Sequence, residues 1–332
     1  MGVACSRPDQ SCLIIQDCGH TIETGYKQRG DSSSTLQSSP SCHSYLSPRE
    51  MVSGSCGSLT YAAVSTQNRT FRHRMEDEWV AIPHFQSHND DLTDASSFFA
   101  VYDGHGGGFC SQYAKQHLHH RLRQTIEATS SHSGDDPLHS DRDIESCFVQ
   151  TFAQVDRELA TFDEAGSSGS TAVTCLVRCV GGCTRVHIAN VGDSRAIYFS
   201  NGVTTRLSAD HKPTDESESR RIRALNGLII NKRVAGFVSV TRALGQADEK
   251  RFISSVPHVV SVEVESPDAF LVLVSDGVSD VFSDEEVTRF VYERLSWRQS
   301  PLEIASQLVA EARQWGATDN MTGVLVCLGG SN

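Results

Sequence analysis

Four acidic residues, each held in a short local motif, constrain this chain more than any other feature. Asp103 and Asp276 each follow an apolar run rich in β-forming residues, FFAVY and FLVLVS, and each is followed by glycine. A short carboxylate at the end of a buried strand is a rigid ligand that points into a cleft. Glu76 and Asp319 lie in similarly compact motifs, and carboxylates that share one site repel each other unless cations intervene. The sequence therefore predicts a site for hard cations, with oxygen ligands that suit two Mg²⁺ or Mn²⁺ ions.

An arginine and a histidine near these acids point to phosphate chemistry. Arg72 lies four residues before Glu76, and a guanidinium can hold phosphate oxygens in a bidentate fork. A water that bridges two ions about 4 Å apart is acidified and can attack phosphorus in line. His105 lies two residues after Asp103 and is a candidate general acid for a leaving alkoxide. A structural hydrogen-bonding role suits a histidine in a glycine-rich turn equally well.

The bulk composition excludes several classes of protein. The 332 residues carry a formal net charge of −12, which does not favour non-specific binding to nucleic acid. The 11 cysteines are odd in number and no secretory signal precedes them, so we expect free thiols in a reducing, cytoplasmic environment. No apolar run approaches the roughly 20 residues that span a bilayer.

The chain divides into a tail and one folded domain. Residues 1–57 are rich in serine and lack a sustained hydrophobic period, which predicts a disordered tail, and residues 58–330 form the folded domain. The first six residues fit the pattern for myristoylation at Gly2. One acyl chain binds membranes only marginally, and palmitoylation of Cys5 would supply a second anchor. The expected location is the cytoplasm, with a membrane tether where these residues are acylated.

The order of predicted elements indicates an α+β fold. Strands are predicted near residues 61–65, 98–102, 170–177, 184–190, 196–198, 270–275 and 322–328, and helices near 109–126, 144–160, 212–225, 283–295 and 301–315. Residues 83–97 are predicted to form an exposed loop. The elements do not alternate as regular βαβ units, so we expect packed sheets covered by helices.

Eight segments in series resemble one known family. They are RHRMED at 72–77, FFAVYDGHGG at 98–107, SGSTAV at 168–173, ANVGDSRA at 189–196, LSADHKP at 207–213, VTRALG at 240–245, VSDGVSDVFSDEE at 274–286 and TDNMTGVLV at 318–326. In this order and at these separations the sequence resembles the metal-dependent type 2C protein phosphatases, the PPM family. The resemblance covers nearly the whole of residues 58–330, which it identifies as a phosphatase catalytic domain. It implies two antiparallel β-sheets packed as a central sandwich and flanked by α-helices.

The same resemblance implies an activity and its ligands. The reaction would be hydrolysis of phosphoserine and phosphothreonine in protein substrates, and we expect the protein to be a monomer. Asp103 would bridge both ions, Glu76 and the carbonyl of Gly104 would complete one ion, and Asp276 and Asp319 would hold the other. Arg72 would bind the substrate phosphate, and His105 would be the general acid. Asp77 would contact the metal ligands without binding an ion itself. Asp193 and Arg195 look structural.

The chain departs from the family pattern at a few positions. Many members carry an aspartate shortly before the GST motif, implicated in a third ion, and Gly166 takes that place here. Support for a third ion is therefore missing at this position. Gln246 stands where members usually have aspartate after RALG, and Ser279 stands where many have tryptophan. None of these changes removes a predicted ligand of the first two ions.

Two other functions compete with this interpretation. The stretch from Cys179 to Arg185 fits the Cys-x5-Arg loop of cysteine phosphatases, but the following residues predict a strand and not the required helix. A Gly-Gly hairpin turn is the simpler prediction. The other alternative is a membrane-tethered, phosphatase-like protein that only binds partners. An intact acidic set argues against that alternative, and dependence on metal would distinguish the two.

Overall fold

The structure is a computed structural model that describes residues 50–87, 95–130, 140–180 and 182–329. Its strands are β1 (Glu50–Cys56), β2 (Leu59–Thr66), β3 (Glu78–Ser87), β4 (Ala95–Tyr102), β5 (Gly104–His105), β6 (Gly169–Ser170), β7 (Ala172–Val180), β8 (Cys183–Val191), β9 (Arg195–Ser200), β10 (Val203–Arg206), β11 (Ile229–Ile230), β12 (Arg233–Val234), β13 (Leu244–Gly245), β14 (His258–Glu263), β15 (Phe270–Val274) and β16 (Met321–Cys327). The helices are α1 (Phe109–Ser130), α2 (Asp141–Leu159), α3 (Glu216–Ala224), α4 (Asp276–Ser279), α5 (Asp284–Ser296) and α6 (Pro301–Gln314).

Two antiparallel sheets form the centre of the molecule. One has six strands in the order β1-β2-β16-β15-β9-β10, and the other has five in the order β14-β8-β7-β4-β3. Strand β4 shows why they stack, because its side chains alternate between two cores. Phe99 and Val101 pack between the sheets, whereas Phe98 and Tyr102 face the core under α1 and α2. A third core lies between the six-stranded sheet and helices α5 and α6. The predicted sandwich flanked by helices is confirmed.

Local signals in the sequence set several helix ends. Three helices have a serine N-cap: Ser140, Ser283 and Ser300. In each case the serine hydroxyl oxygen accepts a hydrogen bond from the backbone N–H three positions later, and the acidic side chain at that later position accepts one from the serine backbone N–H. Pro301 occupies the first turn of α6, where its missing N–H removes no helical hydrogen bond. The predicted starts of α5, after Ser283, and of α6, after Ser300, are therefore confirmed.

The sandwich begins earlier in the chain than the sequence predicts. Strand β1 pairs along its full length with β2, from Glu50 opposite Ser65 to Cys56 opposite Leu59. It lies inside residues 1–57, so that boundary of the tail was placed too late. The strand is at the sheet edge, largely exposed, and rich in serine and glycine, so it lacks the apolar alternation that marks a strand. The rest of the predicted tail, 1–49, lies outside the described residues.

The predicted exposed loop at 83–97 was also wrong in part. Strand β3 continues to Ser87 and β4 begins at Ala95, with a change of register between Ile82 and Gln86. Phe85 is buried and its ring stacks on Phe98, with the centroids 5.4 Å apart. The bulge disguises the alternation of apolar residues, since it shifts which side chains face the core. Residues 88–94 lie outside the described part of the chain.

Candidate active site

The loops that carry the acidic motifs of the sequence lie together at one end of the sandwich. Because neighbouring strands are antiparallel, the carboxyl ends of β4, β8 and β15 meet the amino ends of β3, β7 and β16 there. Residues adjacent to those strand ends include four predicted site residues, Asp77, Asp103, Asp276 and Asp319, together with Thr171 and Asp193. Segments more than 200 residues apart are thus brought to one surface.

The acids at this end are close enough to perturb one another. The pKa of Asp103 is held well above its usual range, first by loss of contact with water and then by the negative charges of Asp276, Asp77, Asp193 and Asp319. The pKa of Asp276 is also raised well above its usual range, by burial and then by the charge of Asp193. Asp319 shows a raised pKa chiefly because it is partly buried. Such a cluster of like charges requires protons or cations to be stable.

Asp77 lies behind this cluster in a fully protein environment. Its Oδ2 accepts hydrogen bonds of 2.8 Å from both the Ser275 and the Thr322 hydroxyls. Burial raises the pKa of Asp77 to about 7, while the two hydroxyls oppose that shift. The charge of Asp319 adds to the rise in the pKa of Asp77, whereas interaction with the Asp103 carboxyl group opposes it.

The backbone around Asp103 is fixed by Thr171. The Asp103 N–H donates to Thr171 Oγ1 at 3.1 Å, and the Thr171 N–H donates to the Asp103 carbonyl at 2.9 Å. Thr171 Oγ1 in turn lies 2.7 Å from the Ser194 hydroxyl. These reciprocal contacts tie the end of β4 to the start of β7 and leave the Asp103 carboxyl group as the part that faces its acidic neighbours.

Glu76 and Gly104 meet through their backbones. The Gly104 N–H donates to the Glu76 carbonyl at 3.2 Å, and the Ser111 hydroxyl donates to the same oxygen at 2.6 Å. A Cβ on residue 104 would lie 2.5 Å from that carbonyl, far inside van der Waals contact. Glycine is therefore needed here so that the two predicted ligands can approach.

Asn320 is a site residue that sequence reasoning missed. Its side chain is buried, accepts a 2.8 Å hydrogen bond from the Glu76 N–H, and donates to the carbonyls of Gln67 and Arg74 at 2.8 and 3.1 Å. Asn320 follows Asp319 directly, so it links the segment of one predicted ligand to the segment of another. The Asp-Asn pair alone indicates only a turn, and nothing local in the sequence reveals such distant partners.

Arg72 lies at the rim of the cluster. Its guanidinium forms an ion pair with Asp319 and also donates from Nε to the Thr318 carbonyl at 3.4 Å. The side chain is 48% exposed, so one side of the guanidinium remains accessible from solution. Arg69 and Arg74 are exposed as well, and Arg72 is the arginine of the three that pairs with Asp319.

His105 lies beside the same cluster with one nitrogen occupied. Its Nε2 is 3.1 Å from Oε1 of Gln246, and burial lowers the pKa of the imidazole. The Gln246 contact and the charge of Asp193 oppose that shift. Both the acid role and the structural role that the sequence left open are compatible with this position.

Comparison with known proteins agrees with this geometry. The family described as protein phosphatase 2C matches residues 61–321. "Protein phosphatase 2C homolog 1" of Saccharomyces cerevisiae is 33% identical over 285 residues, which cover 81% of this chain and 94% of the yeast protein. "Protein phosphatase 1B" of Mus musculus is 32% identical over 291 residues, covering 82% and 71%.

The chain belongs to the protein phosphatase 2C family.

Solved structures show the same fold. A Caenorhabditis elegans sex determining protein superposes with a TM-score of 0.67 at 28% identity and covers 80% of this chain and 64% of its own. A serine-threonine phosphatase 2C from Toxoplasma gondii gives 0.70 at 22% identity, covering 83% and 98%. The protein is accordingly a metal-dependent serine/threonine phosphatase, a hydrolase whose family acts on phosphoproteins and uses Mg²⁺ or Mn²⁺.

In this phosphatase Asp193 lies near the acidic cluster, and the structural role that the sequence suggests for it stays a prediction. Its charge contributes to the raised pKa of both Asp103 and Asp276. It is also paired with Lys212 at 3.1 Å. Arg195, by contrast, has the structural contacts that the sequence suggested, since it bridges Asp210 at 2.8 Å and Asp284 at 3.3 Å.

The cysteine-phosphatase alternative is wrong. Cys179 lies on β7 and Arg185 on β8, two antiparallel strands that pair across a tight turn at Val180 and Cys183. Strand β8 continues to Val191, so no helix follows to cradle a phosphate. The predicted hairpin is confirmed.

Among the residues that the structure describes, no group of three or more His, Cys, Asp or Glu side chains is arranged to hold a metal ion. No helix in the described ranges is long and apolar enough to cross a membrane. Gly2 and Cys5 lie outside those ranges, and their acylation stays a prediction.

Proposed function

We propose that two divalent ions, Mg²⁺ or Mn²⁺, bind at this end of the sandwich. Asp103 would serve as a ligand shared by both ions, Glu76 and the Gly104 carbonyl would hold one of them, and Asp276 and Asp319 would hold the other. The observation that carries the proposal is the convergence of Asp103, Asp276 and Asp319, from three distant segments, at one end of the sandwich, where burial and neighbouring charges raise the pKa of Asp103 and Asp276. Groups that share an enclosed space and resist ionisation are stabilised strongly by cations.

The proposed ligands are of the type that hard cations prefer, because all of them bind through oxygen atoms. Behind them, Asp77 is buried and accepts hydrogen bonds from the Ser275 and Thr322 hydroxyls. Asn320 fixes the Glu76 backbone relative to Asp319. When bound, the ions acidify a water and polarise the phosphate, which generates the nucleophile for in-line attack. The chain's own residues then have to orient the phosphoryl group and supply a proton.

Arg72 orients the substrate phosphate in this proposal. Its guanidinium stands at the edge of the cluster and is already engaged with a carboxylate oxygen of Asp319. A phosphoryl group offers the same bidentate geometry with more negative charge. A substrate phosphate would therefore replace Asp319 as the partner of the guanidinium, which would leave the Asp319 carboxylate available as a metal ligand.

His105 supplies the proton to the leaving oxygen. It lies two residues from Asp103 and beside Gln246, and serine and threonine alkoxides are poor leaving groups that require protonation. A positioned general acid contributes about 10²- to 10⁴-fold to such a step.

We also propose that the protein is cytoplasmic, acts as a monomer and is tethered to membranes through acylation of Gly2 and Cys5. The support is the N-terminal motif and the need for two acyl signals for lasting attachment. In cells fed a clickable myristate analogue, Gly2→Ala should abolish labelling, whereas Cys5→Ser should keep the label and lose membrane retention. Labelling of Gly2→Ala at the level of the unchanged protein would contradict the tether.

Hydrolysis of a phosphothreonine peptide tests the catalytic proposal. The purified full-length protein should release phosphate with Mn²⁺ or Mg²⁺ and stop in EDTA. Asp103→Asn should lower kcat by at least about 10³-fold, because both ions lose their shared ligand. The matched control is Asp268→Asn, which changes a carboxylate on a distant turn. Turnover that persists in EDTA or in Asp103→Asn would refute the proposal.

A further inference from the structure

A chain of three side chains leads away from the proposed acid. His105 Nε2 lies 3.1 Å from Gln246 Oε1, and Gln246 Nε2 donates to Glu249 Oε2 at 2.6 Å. Gln246 is 4% exposed, so its amide is shielded from competing water. A buried amide with both ends engaged is well fixed in orientation.

The fold brings these residues together through a small sheet. Strand β6 lies between β5 and β13, so Gly169 pairs with His105 on one side and with Gly245 on the other. A Cβ at residue 169 would lie 2.5 Å from His105 Nε2 and 3.1 Å from Gln246 Oε1. The absence of a side chain at Gly169 thus opens the space in which the imidazole and the amide meet.

Glu249 decides which way the Gln246 amide points. A carboxylate only accepts hydrogen bonds, so the amide NH₂ must face Glu249 and the amide oxygen must face His105. An oxygen acceptor at 3.1 Å then requires a proton on His105 Nε2. The neutral imidazole is therefore the Nε2–H tautomer, and Nδ1 is the nitrogen left for proton transfer.

The segment that carries Gln246 is held under backbone strain. Gln246 has φ 53° and ψ 48°, a left-handed conformation that is uncommon for residues other than glycine, asparagine and aspartate. Its N–H donates to the Ser168 carbonyl at 2.7 Å. Asp156 accepts from the Gly245 N–H at 3.0 Å and from Lys250 at 2.7 Å, which clamps the segment on both sides. Strain maintained by such contacts is typical of functional positions.

We propose that Gln246, oriented by Glu249, is a positioning residue: its amide oxygen accepts from His105 Nε2–H, so in the protonated imidazole Nδ1–H is the group that delivers the catalytic proton. In that step the oxygen of the attacking water bonds to phosphorus while the P–O bond to the leaving oxygen breaks, and the leaving oxygen keeps the electron pair of that bond. Nδ1–H gives its proton to that oxygen, and the neutral imidazole stays bound to Gln246 through Nε2–H until water reprotonates Nδ1. The inference rests on the acid role proposed above for His105.

Two substrates separate positioning from simple structural damage. A phosphothreonine peptide needs the acid, whereas p-nitrophenyl phosphate releases a stabilised phenolate that leaves without a proton. Gln246→Met keeps the side-chain volume and removes the amide. It should lower kcat for the peptide about tenfold or more, and lower kcat for p-nitrophenyl phosphate by no more than about twofold.

Exchanging the side chains of Gln246 and Glu249 should restore the activity that Gln246→Met loses. In Gln246→Glu with Glu249→Gln, the carboxylate accepts from both His105 Nε2–H and the new amide, so the acceptor next to the imidazole is restored. We expect this double variant to recover peptide turnover to within about threefold of the unchanged enzyme. Asp248→Asn, in the same turn but exposed, is the matched control and should behave as wild type on both substrates.

His105→Ala separates the inference from the proposal beneath it. It should show the same selective loss on the peptide, and ¹⁵N spectra of the imidazole should show Nε2–H in the unchanged protein and a mixed tautomer in Gln246→Met. Selective loss in His105→Ala, together with equal loss of both substrates or no loss in Gln246→Met, would overturn the role of Gln246. Equal loss of both substrates in His105→Ala would instead overturn the acid assignment itself.

Discussion

Asp77→Asn tests how strongly the acidic cluster strains the metal-free fold. The Asp77 carboxyl group is buried against Ser275 and Thr322, and its pKa is raised to about 7 from an ordinary value of 3.8. Asparagine is nearly isosteric, and its amide oxygen can accept from both hydroxyls. Its NH₂ group can then donate to Asp103, so the substitution removes the charge and keeps the contacts.

The size of the effect follows from proton linkage. Below about pH 3.8 the group is protonated in the folded and the unfolded states, so it costs nothing. As the pH rises toward 7 the unfolded state ionises and the folded state does not, and stability is lost at about 1.36 kcal/mol per pH unit. The rise in the pKa of Asp77 from 3.8 to about 7 amounts to about 4 kcal/mol at pH above 7, of which about 2 kcal/mol develops between pH 5 and 7, since the folded state is itself half ionised at pH 7.

Urea unfolding of the protein in EDTA at pH 5, 6, 7 and 8 measures this difference. Between pH 5 and 7 the unchanged protein should lose about 2 kcal/mol more than Asp77→Asn. Saturating Mg²⁺ should reduce the difference, because cations stabilise the ionised cluster. Parallel pH dependences for the two proteins in EDTA would refute the reasoning.

Three further substitutions test other parts of the account. Asn320→Ala leaves the Glu76 N–H and two backbone carbonyls without their partner. Urea unfolding should show that the free energy of unfolding falls by about 2–4 kcal/mol, and phosphatase activity should fall as well. Full activity would show that Asn320 does not position Glu76. Gly104→Ala forces a Cβ to 2.5 Å from the Glu76 carbonyl, and calorimetry should show weakened binding of Mn²⁺, which unchanged affinity would contradict. Ser300→Ala removes the α6 cap and should cost about 1 kcal/mol in thermal unfolding with kcat unchanged; an unchanged Tm would mean that the cap contributes nothing.

The sequence predicts the fold best where local chemistry and periodicity agree. The capping serines and the apolar runs of β4 and β15 locate their elements to within a few residues, because each signal lies inside the element that it defines. Strand β1 and the extension of β3 escaped, since their pairing depends on neighbours along the sheet and their side chains are exposed or shifted by a bulge.

The site likewise contains residues that the sequence predicts and residues that it does not. Asp103 and Asp276 were recognisable because an acid directly after a buried strand is costly unless it has a partner. Asn320 and Gln246 act through contacts with residues distant in sequence: Asn320 donates to the carbonyl of Gln67, 253 positions away, and Gln246 contacts His105, 141 positions away. Such contacts leave no local signature, so only the folded arrangement identifies their partners.

Binding of Mn²⁺ measured by titration calorimetry on the full-length protein tests the central claim most directly. The carboxylate cluster should bind two ions per chain, and Asp103→Asn should lose high-affinity binding at both sites because each ion shares that ligand. A stoichiometry of zero, or two ions bound equally well by Asp103→Asn, would contradict the assignment of these acids as the metal centre.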